Sequence, residues 1–353
     1  MVAMSGGVDS AVAAALLQEQ GLEVIGVHLL LWKSGGKNDS GPKDPRLSPF
    51  ARSAADTAEK LGIAFHLLDL QERFLREVVN PFVSEYLQGR TPNPCPGCNL
   101  KIKFRSLVLL ADQLSAKYIA TGHYARTFFD AGANEHQLFE ALSKDKDQAY
   151  FLFFVNQEIL SRLIFPLREM NKSMVRKQAQ ELGLELADAK ESQDLCFALS
   201  GNYAEVVELL SPGIENQGEI IDLSGKILAR HPGIHHYTIG QRRGLKLNRS
   251  DLYVVKIDPA RKQVIVGPEK ELYHQKMKVS SVNWIAQISL PRSCQTKIRY
   301  RSKKAECRVE PLSENRVMAI FPEPQCAITP GQAAVFYDGE KVLGGGWIEE
   351  ALD

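Results

Sequence analysis

Residues 5–10, SGGVDS, decide the fold expected for the first half of the chain. They follow a short apolar run, residues 1–4, and precede residues 11–20, whose alanine and leucine content predicts a helix. A strand, a glycine turn and a helix in this order can bind phosphates, because glycine lets the backbone approach a ligand and the helix N-terminus carries partial positive charge. The stretch therefore predicts a polyphosphate site.

Two common phosphate-binding motifs do not match this stretch. A Walker A loop needs Gly-Lys-Ser/Thr, and the dinucleotide motif needs G-x-G-x-x-G, and neither pattern occurs here. An ordinary turn between strand and helix, with Asp or Ser as its cap, is the alternative that the loop alone leaves open.

Composition and charge indicate a globular protein with local basic patches. The chain has 353 residues, 44% of them hydrophobic and 24% charged, and its formal net charge is +1. Three windows contain basic residues and no acidic ones: 86–111, 223–250 and 292–304. Three such windows in a near-neutral chain predict a long polyanionic partner held by patches.

The apolar runs and the cysteines of the chain indicate where the protein is located. No signal peptide precedes the first strand, and the longest apolar run, about residues 24–32, is too short to span a bilayer, so we expect a cytoplasmic protein without membrane contact. Six cysteines in such a protein predict packing, metal binding or chemistry rather than a disulfide framework. The short lead-in before the first strand leaves an upstream start codon open.

The order of elements predicts an α/β domain followed by β structure. The first 190 residues or so alternate between strand and helix patterns, which predicts a parallel sheet covered on both faces, with ligands beyond the carboxyl ends of its strands. After residue 211, short alternating runs predict strands, and the last of them are typical of a small barrel. The predicted elements are strands at 22–31, 63–68, 118–121, 218–228, 253–258 and 263–266, helices at 51–61, 74–87, 104–114, 157–163 and 172–182, and barrel strands within KIRYRS, AECRVE, RVMAIF, AAVFYDG and KVLGGGWI.

Three further motifs carry the chemistry. In GRTPNPCPGCNLKIKF (89–104), prolines on either side of Asn93 predict an extended loop that presents Cys95 and Cys98. ATGHYAR (120–126) predicts a strand end followed by a turn, and ESQDLCF (191–197) contributes another cysteine. A C-x-x-C beside basic residues predicts a lowered thiol pKa and redox activity, and with a third cysteine it can ligate zinc or an iron–sulphur cluster.

Together these motifs resemble those of one family, the tRNA-specific 2-thiouridylases, which are members of the PP-loop ATP pyrophosphatases. The resemblance extends over nearly the whole chain and includes TGHYAR, KDQAYFL, HPGIHHYTIGQRRGL and TPGQAAVFYDG. It implies a parallel-sheet PP-loop ATP-binding catalytic domain (1–200), a small central tRNA-binding domain (201–270) and a C-terminal β-barrel domain (271–353).

The resemblance also implies a reaction, its cofactors and its partners. The enzyme would use ATP to adenylate the C2 oxygen of the wobble uridine of tRNA, and then transfer sulphur and release AMP and pyrophosphate. Cys196 would carry the sulphur as a persulphide from a donor protein, a cysteine desulphurase or a relay protein. Cys98 would act as nucleophile: it would attack the persulphide to release sulphide, or form a transient disulphide with Cys196 as the sulphur leaves. Mg²⁺ would accompany the ATP, with Asp9 as its ligand.

Family contacts map onto this chain residue by residue. The ATP contacts are Ala3, Met4, Ser5, Gly6, Gly7, Val8, Asp9, Ser10, Leu29 and Gly122. The target-base residues are Asn93, Pro94 and Cys95. The tRNA contacts are His123, Lys146, Asp147, Gln148, Arg299, Tyr300 and Gln332, to which we add Arg242 and Arg243 as phosphate contacts.

Several alternatives stay open from the sequence. Cys95 stands where many relatives have Asp, so Cys95, Cys98 and Cys196 could bind an iron–sulphur cluster, which we do not favour. A small-molecule PP-loop ligase would leave the cysteines and basic windows without a use, and a zinc-clasped RNA-binding module would leave the glycine loop without one. We expect the cysteines of the barrel region to be packing residues. We expect His235 and His236 to contact RNA or pack, because no third metal ligand has suitable spacing.

Overall fold

The strand before the glycine loop lies at the centre of a parallel sheet. The computed structural model describes residues 1–32, 48–184, 195–198, 201–213, 217–247 and 249–353. The sheet has the strand order β3-β2-β1-β4-β7. Its strands are β1 (Val2–Ala3), β2 (Ile25–Leu30), β3 (Ala64–Asp69), β4 (Ile119–Thr121) and β7 (Leu163–Ile164). Val2 pairs with both Gly26 and Ala120, which confirms the predicted parallel sheet and its predicted first strands.

The helix after the glycine loop is buried because it is small and apolar. Residues 11–15 of α1 (Val8–Glu19) are all buried, and short alanine side chains let this helix pack closely within the domain. The helices that follow are α2 (Pro49–Leu61), α3 (Gln71–Phe74), α4 (Asn80–Leu87), α5 (Cys95–Cys98), α6 (Arg105–Gln113), α7 (Gln157–Leu160), α8 (Lys172–Glu181) and α9 (Tyr203–Leu210).

The extended loop predicted for residues 89–104 is wrong in its second half. The chain is helical from α5 through a π-helical segment, Asn99–Phe104, into α6. The prolines do not prevent this, because the first turn of a helix tolerates residues without an N–H group. A second π-helical segment, Leu75–Val79, joins α3 to α4.

Two elements before the central sheet were not predicted from the sequence. An antiparallel hairpin of β5 (Ala125–Asp130) and β6 (Glu135–Glu140) follows the TGHYAR motif. Helix α9 begins at Tyr203, where its N-cap residue Asn202 accepts a hydrogen bond from the backbone of Ala204. Residues 191–194 of the ESQDLCF motif lie outside the described residues.

The central part of the chain forms a four-stranded sheet with the order β10-β11-β8-β9. Its strands are β8 (Gly218–Asp222), β9 (Ile227–His231), β10 (Tyr253–Asp258) and β11 (Gln263–Gly267), so the run predicted at 218–228 is two strands. Val254, Val264 and Val266 lie in its buried core.

Six strands near the C-terminus form the predicted barrel, which is closed by pairing between β12 and β17. They are β12 (Tyr273–Trp284), β13 (Arg292–Lys297), β14 (Ala305–Ser313), β15 (Arg316–Cys326), β16 (Ala333–Asp338) and β17 (Lys341–Leu352). The strand predicted within KIRYRS is wrong, because β13 ends at Lys297. Cys294 and Cys307 lie in the barrel core, as expected for packing residues.

The chain divides into two compact units that are not continuous in sequence. One comprises Met1–Val78, Cys95–Leu199 and Glu340–Val342, and the other comprises Val79–Pro94, Ser200–Gly339 and Leu343–Asp353. Among the described residues, no helix has the length and apolar character required to cross a bilayer.

Candidate active site

Gly6 sets the path of the loop between β1 and α1. Its φ is +82°, in the left-handed region, and a Cβ atom there would lie 2.3 Å from the carbonyl oxygen of Phe50. Ser53 fixes the same peptide, because its Oγ donates to the carbonyl oxygen of Gly6 at 2.9 Å. The conformation of the loop therefore requires glycine at this position.

The Ser10 side chain makes two hydrogen bonds to the backbone of the loop. The backbone N–H of Ser5 donates to Oγ of Ser10 at 3.0 Å, and that hydroxyl donates to the carbonyl oxygen of Gly7 at 3.0 Å. The Ser10 side chain is buried and shapes the loop from inside. The first amides of α1 have no intrahelical acceptor, so they fit a polyphosphate group.

Asp9 is held by two partners that the sequence did not indicate. Lys172 Nζ lies 2.7 and 2.8 Å from the two carboxylate oxygens of Asp9, and the Tyr124 hydroxyl donates to Oδ1 at 2.7 Å. Lys172 belongs to α8, and 163 residues separate it from Asp9. No local pattern could have indicated this ion pair.

This arrangement does not fit the expected role of Asp9 as a Mg²⁺ ligand. An ammonium group already neutralises the carboxylate and occupies both of its oxygens, so a cation would have to displace Lys172. We therefore assign no step to Mg²⁺ at this residue.

Gly122 brings the end of β4 against the start of α1. A Cβ atom at Gly122 would lie 2.8 Å from the backbone nitrogen of Ser10 and 2.9 Å from the carbonyl carbon of Asp9. Strands β1 and β4 are neighbours, and ligands of open parallel sheets bind beyond the carboxyl ends of the strands. The half-buried Leu29 lies near the end of β2. The expected ATP contacts thus follow three neighbouring strands at one edge of the sheet.

The C-x-x-C motif places two thiols on the first turn of a helix. Cys98 is 5% exposed and Cys95 is half-buried. The expectation of lowered thiol pKa values is wrong: burial raises the pKa of Cys95 to about 11 and that of Cys98 to about 12. Lys103 lowers both pKa values but does not outweigh the cost of burying a thiolate.

Cys196 belongs to the same group of side chains. Its charge raises the pKa of Cys95 and of Cys98, which requires the three thiols to be near one another. The next residue, Phe197, fixes its place, because the Phe197 ring packs 5.8 Å from Phe74 and 6.2 Å from Trp32 between centroids. Cys196 itself is exposed to solvent, although the protein around its thiol still raises its pKa.

Lys103 is the functional candidate that the sequence analysis missed. It lies in the π-helical segment after the C-x-x-C motif, and π-helical segments often occur at functional sites. Burial alone would lower the pKa of Lys103, but Cys98, Cys196 and Cys95 raise it above its ordinary value. We define the thiol cluster as these three cysteines with Lys103. The sequence shows a basic residue after the C-x-x-C motif, but it does not show whether the thiol pKa values are raised or lowered.

His123 lies beside the thiol cluster. Its Nδ1 is 2.8 Å from Oγ1 of Thr121, and its ring packs against Phe104 and Phe165. Burial lowers the pKa of His123 to about 3, and the positive charge of Lys103 contributes. The ring is therefore neutral at physiological pH, and its expected tRNA contact stays a prediction.

Two residues expected to contact tRNA make internal contacts. Asp147 is 2% exposed, and its Oδ1 accepts hydrogen bonds from the backbone of Ala141 and Ala149. Oε1 of Gln148 accepts a hydrogen bond from the backbone N–H of Tyr124 at 3.0 Å. Lys146 is half-buried.

The segment before the C-x-x-C motif is held by a turn of its own unit, which comprises Val79–Pro94, Ser200–Gly339 and Leu343–Asp353. The backbone N–H of Asn93 donates to the carbonyl oxygen of Gly331 at 3.2 Å, and Gln332 Nε2 donates to that of Thr91 at 2.8 Å. The half-buried Pro94 ends this segment. Asn93 and Gln332, which are both expected to contact RNA, therefore lie on two segments that hydrogen-bond to each other.

The remaining expected tRNA contacts lie on the surface of the same unit. Arg242, Arg243 and Arg299 are exposed, and Tyr300 is half-buried. The guanidinium of Arg242 lies 5.9 Å from the ring centroid of Tyr253. These positions leave the cationic groups available to phosphates.

The fold and the glycine loop define a HUP-domain protein with two β domains. Three family models match in succession: "tRNA methyl transferase HUP domain" over residues 1–200, "tRNA methyl transferase PRC-barrel domain" over 209–268 and "Aminomethyltransferase beta-barrel domain" over 274–348. The chain belongs to the family of tRNA-specific 2-thiouridylases. This finding confirms the family to which the motifs pointed.

Similar curated proteins share the full length of the chain. The tRNA-specific 2-thiouridylase MnmA of Syntrophotalea carbinolica is 47% identical over 99% of this chain and 97% of that protein. Proteins of the same name from Geotalea uraniireducens and Nostoc punctiforme are each 44% identical, over 100% and 99% of this chain and 95% and 98% of their own lengths.

A solved structure of a tRNA thiolase is similar to part of the chain. The U34-tRNA thiolase NcsA from Methanococcus maripaludis, solved with its [4Fe-4S] cluster, aligns at 20% identity over 60% of this chain and 66% of that chain, with a TM-score of 0.34. Similarity at this level carries no argument about a cluster here.

Proposed function

We propose that this protein forms 2-thiouridine at the wobble position of tRNA, using ATP to activate the uracil and a cysteine persulphide as the source of sulphur. The observation that supports it most is the combination, in one unit, of a glycine loop suited to polyphosphate and a cluster of three thiols. Full-length relatives that are 44–47% identical and named as 2-thiouridylases support the same reaction.

The first step activates the base. The C2 oxygen of uracil attacks the α-phosphorus of ATP, a C2–O–P bond forms, and the bond to the β-phosphate breaks with release of pyrophosphate. The amides at the start of α1 hold the polyphosphate, because they point along the helix axis and lack intrahelical acceptors. Lys172 can turn from Asp9 toward the departing pyrophosphate as negative charge develops there.

The second step moves the sulphur. The terminal sulphur of a persulphide on Cys196 attacks C2, and AMP leaves with the former carbonyl oxygen. The Cys98 thiolate then attacks Sγ of Cys196, which breaks the S–S bond and leaves the sulphur on C2. This forms a Cys98–Cys196 disulphide, and an external dithiol reductant restores both thiols.

Lys103 supplies the charge that this step needs. A thiol with a pKa of about 12 is almost entirely protonated at neutral pH, and only the thiolate is a good nucleophile. The ammonium of Lys103 stabilises whichever sulphur carries negative charge during the transfer. It acts on three sulphur atoms at once, which suits a relay.

The partners follow from exposure and charge. Because Cys196 is exposed, the persulphide-bearing loop of a sulphur-donor protein, such as a cysteine desulphurase or a relay protein, can reach it. The tRNA backbone binds Arg242, Arg243 and Arg299, and the target base lies at Asn93, Pro94 and Cys95. We also propose functional domains at 1–200, 201–270 and 271–353, which the three matched ranges support.

The test is single replacement of the two reacting cysteines. Cys98→Ser and Cys196→Ser should each abolish 2-thiouridine formation, because a hydroxyl forms neither a persulphide nor a disulphide. Both variants should still adenylate the base and release pyrophosphate. Cys326→Ser, in the barrel, is the matched control and should keep full activity. The measurements are thiolated nucleoside per tRNA and pyrophosphate released per tRNA. Full thiolation by either reacting-cysteine variant would contradict the mechanism.

Replacing Cys95 distinguishes this mechanism from one that uses a cluster. Cys95→Asp should keep thiolation and contain no iron, because aspartate is common in the family at this position. Loss of activity together with loss of protein-bound iron would replace the persulphide mechanism with iron–sulphur chemistry.

A further inference from the structure

Glu208, His235 and His236 form a compact group of metal-ligating side chains apart from the thiol cluster. Within the described part of the chain, they are the one set of three histidine, cysteine or acidic side chains whose donor atoms all lie within 4.8 Å of one another. The sequence expectation that no third ligand is available rested on spacing along the chain, and the fold brings Glu208 to His235 across 27 residues. The expected RNA or packing contacts of the two histidines stay a prediction. Glu208 is contributed by α9, a separate element that the sequence analysis did not predict.

The distances within this group differ from those of strong hydrogen bonds. Oε1 of Glu208 lies 3.5 Å from Nε2 of His235 and 3.2 Å from Nε2 of His236. A charge-assisted N–H···O bond is shorter, about 2.7–2.9 Å. Ligand atoms placed about 2.0–2.1 Å from a tetrahedral Zn²⁺ are about 3.3–3.4 Å apart, which lies between the two observed distances.

Gly233 leaves the space that the His235 ring occupies beside Glu208. A Cβ atom on Gly233 would lie 2.3 Å from Cε1 and 2.6 Å from Nδ1 of the His235 ring, so only glycine leaves room for it. The ring is 5% exposed, and its Nδ1 is buried with no hydrogen-bond partner in the described structure. No second hydrogen bond fixes the tautomer, so Nε2 can present its lone pair toward Glu208.

We propose that Glu208, His235 and His236 bind one Zn²⁺ ion, with solvent as the fourth ligand. Two imidazoles and a carboxylate are a known ligand set for this metal. The ion would join α9 to the 3-10 turn Ile234–His236, which lies within the acid-free window 223–250. The site would thus link metal content to the stability of the part of the chain that we propose contacts tRNA.

The test uses full-length, tag-free protein in which Cys95, Cys98 and Cys196 are all serine, because thiols also bind Zn²⁺. After chelator treatment and dialysis, calorimetric titration with Zn²⁺ should give one site per chain. Glu208→Gln and His236→Ala should each weaken the affinity of the protein for Zn²⁺ at least about tenfold. Even the loss of a residue that only supports a metal ligand weakens metal binding by about 10–100-fold. Both side chains are partly exposed, so these variants should fold. Mg²⁺, which prefers oxygen ligands, should not bind.

His274→Ala is the matched control, because His274 is also partly exposed beside a carboxylate, that of Asp353, but belongs to no group of three candidate ligands among the residues that the structure describes. It should bind Zn²⁺ like the parent protein. Zn²⁺ should also raise the melting temperature of the parent and the control but not of Glu208→Gln, since a ligand stabilises only a fold that binds it. Absence of Zn²⁺ binding in the parent, or unchanged binding in both site variants, would overturn the proposal.

Discussion

Lys103 shows how a single side chain can set the chemistry of several others. Desolvation by the surrounding protein makes each thiol of the cluster a weaker acid than a free cysteine, and Lys103 is the nearby charge that opposes this effect. The sequence showed the lysine and the C-x-x-C together but could not show their burial. A local pattern specifies which groups are neighbours, whereas the dielectric around them depends on the whole fold.

Replacing Lys103 should move the reactivity of the thiols to higher pH. Without the ammonium, the thiolate loses a stabilising charge, the already raised thiol pKa values rise further, and less thiolate exists at any pH below them. Lys103→Met should therefore slow alkylation of the exposed Cys196 at pH 8, about tenfold for each unit by which its pKa rises. The measurement is the pH profile of iodoacetamide labelling, with mass spectrometry to identify the labelled cysteine.

Lys101→Met is the control for this prediction. Lys101 lies in the same π-helical segment but is exposed, and its contact with Arg73 uses only its backbone carbonyl oxygen. Its labelling profile should match that of the parent protein. Identical profiles for the two variants would mean that Lys103 does not stabilise the thiolates.

At the scale of elements, the sequence predicted the segments whose signals are local. Residues 5–10 gave the loop, its strand and its helix because glycine pairs and alanine runs act on the backbone nearby. The C-x-x-C segment was predicted as a loop from its prolines, yet it is helical, because prolines at a helix start are compatible with either structure. The Asp9–Lys172 pair and the Glu208 group join distant elements, so no local pattern could have predicted them.

Gly122 should be required for nucleotide binding because it sets the contact between β4 and α1. In Gly122→Ala, the new methyl group would lie 2.8 Å from a backbone nitrogen, so helix α1 would have to shift. Overpacking of this kind costs about 1–3 kcal/mol of stability, and the displaced loop should bind ATP at least about tenfold more weakly. Equilibrium binding of ATP and chemical denaturation measure the two effects.

Gly97→Ala separates a steric effect from a general effect of replacing glycine. Gly97 lies in helix α5. Among the described residues, and apart from its chain neighbours and the backbone of its own helix, no atom lies within 4 Å of its Cβ position. Its ATP affinity and stability should match or exceed those of the parent. Wild-type ATP affinity in Gly122→Ala would contradict the proposed close contact.

At the scale of the whole molecule, charge is arranged in patches although the total is near zero. A net charge of +1 gives no general attraction to RNA, so binding should depend on the three acid-free windows. Composition predicted this arrangement because the windows are continuous in sequence. Which of their side chains are exposed could be learned only from the structure: the arginines at 242, 243 and 299 are exposed, whereas Lys103 in the first window is half-buried among thiols.

Binding of tRNA should therefore weaken steeply as salt is added, and reversal of charge within a window should reduce that dependence. Each phosphate contact that a protein makes releases counterions, and its loss lowers the slope of log affinity against log salt by roughly 0.7–0.9. Arg242→Glu with Arg243→Glu should reduce the slope by about 1.4–1.8 if both arginines contact phosphates, and should leave ATP affinity unchanged.

The double reversal Arg168→Glu with Lys177→Glu is the control, because both side chains are exposed, and both lie outside the three windows. Filter binding of unmodified tRNA at a series of salt concentrations measures the slopes. Binding that does not depend on salt, or an equal loss in the control, would show that the windows do not hold the tRNA backbone.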